Sequence, residues 1–413
     1  MAVLEYSVEK PLNREPALKD LVSSFITEKG AYDRNHGPIP HIDGERHSIH
    51  VAGAVDTPLS FSTAQLKHDF PQHTVVCALQ CAGNRRHTMR TLLKEVDGLD
   101  WGDGAVMNCE WRGPRLRDVL NRAGIAIADA DRKRAHVAFA CYATQCQEDS
   151  WYGASIELDR GMREDGDVIL ALEMNSRPLS VDHGYPVRVV APGIAGARCV
   201  KWLDNITVQL TESTNFYQKR DYKILPPEAV NKEAAQRFWH LVPAVQDMPV
   251  NSVIAIPQTG ETITLPRKEE GQQVPSSTVE VKGYALPGGE QGPITKVEVS
   301  GNGGRTWVEA TIVSPSGSSG SSPGTSSYSR SIPPKSSKWA WALWCAAVKV
   351  ELEEQPSKAD ATSCQQNNAR KARILSRATD AGGNKQEESP QWNLRGVSYN
   401  GYGEARDLTV IFK

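Results

Sequence analysis

Residues 80–86 read Gln80-Cys81-Ala82-Gly83-Asn84-Arg85-Arg86, directly after the apolar run 73–79, HTVVCAL. That run is short, bounded by polar residues and rich in valine, so it predicts a buried strand. Cys81 leaves the strand and enters a loop with a small residue, a glycine and two arginines. Guanidinium groups close to a thiol favour the thiolate. A thiolate is a soft ligand suited to a redox metal. The same residues also fit a buried structural cysteine beside a surface basic pair, which is what most scattered cysteines are.

Four further segments lie outward from this loop. Upstream stands Arg34-Asn35-His36-Gly37-Pro38. Downstream come Asp182-His183-Gly184-Tyr185-Pro186-Val187-Arg188 and Gly196-Ala197-Arg198-Cys199-Val200-Lys201-Trp202-Leu203. Far along is Trp392-Asn393-Leu394-Arg395-Gly396. Together with the cysteine loop, and in this order, they resemble the signature segments of the sulfite oxidase family. Each alone is moderately specific; the ordered set spans most of the chain.

The resemblance implies a fold: an α+β molybdenum-cofactor domain followed by an immunoglobulin-like β-sandwich that mediates homodimerisation. It also implies a cofactor, molybdenum-molybdopterin, with Cys81 as the protein ligand to the metal. Arg34, Asn35, His36, His183, Arg188, Cys199, Val200 and Lys201 are then expected around the pterin and its phosphate, Asn35 and Val200 through backbone. Polar rings and phosphates call for such cations and donors. At Cys199 the family more often has Ser or His, so only a backbone contact is expected there. The implied substrate is sulfite, a small oxyanion, in a pocket built from Arg34, Arg86, Trp101, Tyr222 and Arg395. Guanidinium forks suit such oxygens, and the Tyr222 hydroxyl is placed to move a proton. Arg395 belongs to the second domain, so the pocket is expected between domains.

The chain has 413 residues, enough for two or three domains at roughly 150 each. A net charge of −2 gives no general attraction to nucleic acid or to a membrane surface. No apolar stretch is long enough to span a bilayer, no secretory leader is apparent, and the last residues are not a peroxisomal address. A soluble intracellular protein follows as the expectation, cytoplasmic or in an organelle such as peroxisome or mitochondrion. None of the eight cysteines forms a Cys-x-x-Cys pair, which disfavours a zinc site.

Residues 1–20 read as an N-terminal arm and 21–243 as the cofactor domain. Leu116, Val119, Leu120 and Ala123 fall at helical spacing, with Gly124 as a stop signal. Residues 187–191 and the alternating Ile206, Val208 and Leu210 predict strands. From 244 to 413 the alternation of Val279 with Val281 and Val297 with Val299, separated by glycine-rich turns, predicts the sandwich. Trp339, Trp341 and Trp344 are assigned to one later strand of it, and 372–379 and 408–412 to two more. Residues 314–337 are dominated by Ser, Gly and Pro and read as a disordered insertion; 353–368 reads as a polar loop.

Two alternatives remain open. Nitrate reductase shares the Cys-Ala-Gly-Asn-Arg-Arg loop, but typically places Met and Asn where Arg395 and Tyr222 stand. An inactive dimeric paralogue is the other, since the insertion interrupts the sandwich. A sulfoxide reductase of the same superfamily is disfavoured by the sandwich and Arg395. No His-Pro-Gly-Gly haem motif occurs, so neither haem nor flavin is expected, with electrons passing to oxygen or an external acceptor.

Overall fold

The computed structural model describes residues 11–266, 278–313, 338–352 and 369–413. The expected disordered insertion 314–337 and the loop 353–368 lie outside these.

The strand that carries the cysteine loop runs Gln72–Gln80 and pairs antiparallel with Val106–Pro114 along its whole length, Cys77 opposite Cys109. A five-stranded sheet stands beside it in the order Leu59–Ser62, Ser48–Gly53, Asn205–Gln209, His136–Cys141, Tyr152–Glu157. Asn205–Gln209 runs parallel to Ser48–Gly53, and the other pairings are antiparallel. One apolar core joins these sheets, the strand pair Ile169–Ala171 and Arg188–Val190, and the helix Leu116–Ala123. That helix buries Leu116, Val119, Leu120 and Ala123, the predicted stripe, and ends at Gly124 with φ +72°. A Cβ at Gly124 would also run into the Asp56 carboxylate, so glycine is required twice over.

The second domain stacks two sheets. One holds Asn251–Ile256, Thr278–Leu286, Ala342–Lys349 and Thr311–Val313. The other holds Thr262–Leu265, Gly403–Phe412, Ala369–Asp380, Ile294–Ser300 and Val308–Glu309. Val279, Val281, Val297, Val299, Val348, Ile374, Leu408 and Val410 point into the space between them, as alternation at period two requires.

One strand assignment fails. Only Trp344 sits in the strand Ala342–Lys349; Trp339 and Trp341 precede it and cross to the first domain. Trp339 joins the first domain's core and donates Nε1–H to Asp167 Oδ2 at 2.9 Å. Trp341 donates to the Phe25 carbonyl at 2.8 Å. Buried indoles need an acceptor, and the first domain holds both. The arm is bound as well. Asn13–Arg14 pairs antiparallel with Asp33–Arg34, and the Glu15 carboxylate accepts from the Gly102 and Gly104 amides at 2.9 and 2.6 Å.

Candidate functional site

The strand Gln72–Gln80 delivers Cys81 to a loop stitched from both sides. The Cys81 amide donates to the Ala105 carbonyl at 2.9 Å, and the Gly83 amide donates to Cys81 Sγ at 3.4 Å. Asn84 accepts from the Ala105 amide at 3.1 Å and donates to Tyr284 Oη of the sandwich at 3.1 Å. Arg85 adopts φ +68° and starts the helix Arg86–Leu92. Its buried guanidinium donates to Asn251 Oδ1 at 2.7 Å and to the carbonyls of Gly401 and Tyr402, all on the second domain. The sandwich therefore holds the cysteine loop directly, and the Ser398 amide donates to the Ala82 carbonyl at 2.8 Å.

Arg86 folds back under this loop. It donates to the carbonyls of Arg395 at 2.9 Å and Leu99 at 2.8 Å. A Cβ on Gly83, Gly98 or Gly396 would collide with the Arg86 side chain. Three glycines, the last from the second domain, thus make room for one buried cation.

Cys81 opens into a cleft lined by both polar and apolar side chains. Arg34, Asn35, His36, His183, Arg188, Cys199, Lys201 and Tyr222 line it with Cys81. Val200 is fully buried behind the wall. Arg86, Trp101 and Arg395 are not wall residues either. Trp101 packs in the same core as Cys81, with its Nε1–H unpartnered. The Cys199 side chain is engaged within the protein: its Sγ accepts from the Ala191 amide at 3.3 Å.

One end of the cleft gathers Arg188, Lys201 and His183, with the Asp33 carboxylate 3.8 Å from His183 Nε2. Arg188 donates to the carbonyls of His183 at 3.1 Å and Cys199 at 3.3 Å, and lies over the Trp111 ring. Lys201 donates to the Asp182 carbonyl at 2.8 Å and to Asn35 Oδ1. Among the described residues neither makes a salt bridge. Burial, then Arg188, brings the Lys201 amine down to about 7. Burial, Arg188 and Lys201 take the His183 imidazole down to about 3. His183 Nε2 and Asn35 Nδ2 are buried without a hydrogen-bond partner.

At the other end Tyr222 Oη lies 2.6 Å from His36 Nε2. Arg34 Nη2 is 3.1 Å from His36 Nδ1. The turn Tyr217–Asp221, a π-helical turn of the kind found at functional sites, places Asp221 next to Tyr222. Asp221 is paired with the Arg395 guanidinium, so the second domain reaches the residue beside the Tyr222 phenol. Burial, reinforced by Arg34, Arg395 and Arg86, holds His36 neutral, well below its usual range. Burial also raises the Cys81 thiol; Arg86, Arg34 and the Gly83 amide oppose that rise without overcoming it. The two arginines of the loop do not by themselves make a thiolate. A metal displacing the proton does.

Among the described residues no three His, Cys, Asp or Glu side chains are grouped to hold a bare metal ion. A lone buried cysteine fits instead a metal that arrives already held by an organic cofactor. The cations Arg188 and Lys201 and the unpartnered polar atoms suit the phosphate and ring of such a group. The residue types present therefore fit a molybdopterin. Sequence reading missed Asp221, Asn13, Glu148, Tyr32 in the cleft wall, and Tyr152 and Tyr217 around His36. Only Asp221 had a signal, as the neighbour of Tyr222.

No helix among the described residues is long and apolar enough to cross a membrane. Residues 36–217 match the oxidoreductase molybdopterin binding domain, and 242–405 the Mo-co oxidoreductase dimerisation domain. Mitochondrial sulfite oxidase of Rattus norvegicus is 38% identical over 403 residues, covering 97% of this chain and 64% of that protein. Sulfite oxidase of Arabidopsis thaliana is 35% identical, with 95% of this chain and 91% of that protein covered. A nitrate reductase [NAD(P)H] of Hordeum vulgare is 34% identical, over 97% of this chain and 41% of that protein. The sulfane dehydrogenase SoxCD of Paracoccus pantotrophus has a similar fold, with TM-score 0.66 and 22% identity over 97% of this chain and 86% of that one. With a relative of nearly its own length at this identity and a molybdopterin-binding site of fitting chemistry, the chain belongs to the sulfite oxidase family of molybdopterin oxidoreductases.

Proposed function

We propose that the protein oxidises sulfite to sulfate: sulfite and water give sulfate, two electrons and two protons. The observation that carries this reading is Arg34 and Tyr222 lining the cleft with Cys81, backed by Arg86, which donates to the Arg395 carbonyl, and by the Arg395 guanidinium paired with Asp221 beside Tyr222. The bound cofactor supplies the two-electron redox couple and the oxygen-atom transfer. Cys81 is its metal ligand. Lys201, Arg188 and His183 hold its phosphate end, with Asn35, His36 and the segment Cys199–Val200 along the pterin.

The arginines neutralise and orient the substrate oxyanion. Trp101 forms part of the packed support under Cys81. The Tyr222 phenol, kept protonated by burial, supplies a hydrogen bond where charge changes on oxygen. Electrons then leave to oxygen or an external acceptor, without haem or flavin in this chain. The second domain pairs two copies into a homodimer. The protein works inside the cell, in the cytoplasm or an organelle, in keeping with the mitochondrial name of the rat relative.

Nitrate reduction is the second reading, favoured by the barley relative and opposed by Tyr222 and Arg395. Anaerobic assays with an artificial acceptor separate the two. Sulfite-dependent acceptor reduction with no nitrate-dependent oxidation of a reduced dye is expected, and the reverse pattern overturns the proposal.

A further inference from the structure

Arg34 faces the cleft from the strand pair Asn13–Arg14 and Asp33–Arg34. Asn13 lies opposite it in register. Asn13 Oδ1 accepts from Arg34 Nη1 at 3.3 Å and from the Asn35 amide at 3.2 Å, while its Nδ2 donates to the Pro11 carbonyl at 3.2 Å. The Asn13 side chain is therefore anchored at Pro11 and, together with the Asn35 carbonyl, accepts from Arg34 Nη1.

A guanidinium only donates. Arg34 Nη2, 3.1 Å from His36 Nδ1, thus requires a bare Nδ1. A neutral imidazole then carries its hydrogen on Nε2 and donates it to Tyr222 Oη, at 2.6 Å. With its oxygen accepting from His36, the Tyr222 hydroxyl has its own hydrogen left for the cleft it lines. Loss of the Arg34 contact permits the other tautomer. Nδ1–H then faces Glu148, whose Oε2 is 3.8 Å away, and Tyr222 gives its hydrogen to His36 instead. The groups facing the ring are Arg34, Glu148, Asp221 with Oδ2 3.9 Å from Nε2, and the rings of Tyr152, Tyr217 and Tyr222.

We propose that Asn13 is a positioning residue of the site: by holding Arg34 it fixes the His36 tautomer and turns the Tyr222 hydroxyl hydrogen into the cleft. The residues next to it in the arm serve other walls, Arg14 binding Asp33 at 2.6 Å and Glu15 the Gly102–Gly104 loop. They provide an internal control for arm attachment.

The kinetic consequence rests on the sulfite oxidase reading; the tautomer does not. The test is ¹⁵N NMR of histidine-labelled holoenzyme, with the His36 signals identified by their loss in His36→Gln. Wild type is expected to show a bare Nδ1 and a protonated Nε2. Asn13→Ala should mix or reverse that pattern and lower kcat/KM for sulfite about tenfold, the order expected for one lost hydrogen bond to a charged group. Asn13→Asp, which keeps the acceptor for Arg34, should restore the wild-type pattern. Glu15→Gln should leave the pattern and kcat/KM unchanged. An unchanged His36 pattern in Asn13→Ala, or an equal change in Glu15→Gln, overturns the proposal. A wild-type enzyme with the expected tautomer and no sulfite turnover overturns only the functional reading.

Discussion

The two ends of the cleft use the same residue types in opposite ways. At the Lys201–Arg188–His183 end Lys201 and Arg188 meet carbonyls and a side-chain amide oxygen and make no salt bridge among the described residues, while the Asp33 carboxylate lies 3.8 Å from His183. At the Tyr222 end Arg395 is already tied to Asp221, and Arg34 meets the neutral amide oxygen of Asn13. A buried cation without a salt-bridge partner is costly, so the first end is expected to favour an anion that stays bound. Arg395, already neutralised, is expected to bind a further anion more weakly, which suits one that must come and go. The first end fits a resident phosphate, the second a turning-over oxyanion.

The sharpest way to break this contrast lies between the two ends. Cys81→Ser is expected to abolish turnover and leave the folded secondary structure unchanged by circular dichroism, because the thiolate proposed to hold the metal is gone. Next, Lys201→Ala should empty the resident end. Molybdenum retained after gel filtration is expected to fall by about tenfold or more, the cost of a charge-assisted hydrogen bond. Arg395→Met should strike only the transient end: molybdenum content unchanged, with KM for sulfite up about tenfold. Unchanged KM and kcat in that variant would remove Arg395 from the site.

A smaller effect concerns pH. The folded Lys201 amine, lowered by burial to about 7 from its ordinary value near 10.5, sheds its proton in the fold before the unfolded chain does. Between those values the unfolded state binds more protons, so stability of the cofactor-free protein rises with pH across that window. Below pH 7 Lys201 is charged in both states and adds no slope. The wild-type thermal midpoint minus that of Lys201→Met should therefore climb from pH 7 toward 10. A flat difference would mean that the amine stays charged. The smallest effect lies outside the cleft. Trp339→Phe removes the bond to Asp167 and should cost about 1 kcal/mol in denaturant titration.

The cysteine loop, the predicted strands and the helix ending at Gly124 were legible because each rests on local chemistry. An apolar run, a period and a glycine carry their meaning within ten residues. The members of the cleft were legible only as an ordered resemblance, since 361 residues separate Arg34 from Arg395. Asn13 and Glu148 were not legible at all. Each acts through contacts with residues outside its own stretch of chain, and neither type is unusual where it stands. Trp339 and Trp341 were misplaced because a tryptophan-rich run before a strand has the strand's composition. Their indole acceptors, on another domain, decide the matter.

Whether this cleft binds a molybdenum cofactor through Cys81 and oxidises sulfite with it is decided by elemental analysis of the purified protein, paired with sulfite-dependent oxygen uptake. Close to one molybdenum per chain is expected, with uptake that disappears in Cys81→Ser. No molybdenum in protein from a host that makes the cofactor, or full activity in Cys81→Ser, would refute this function.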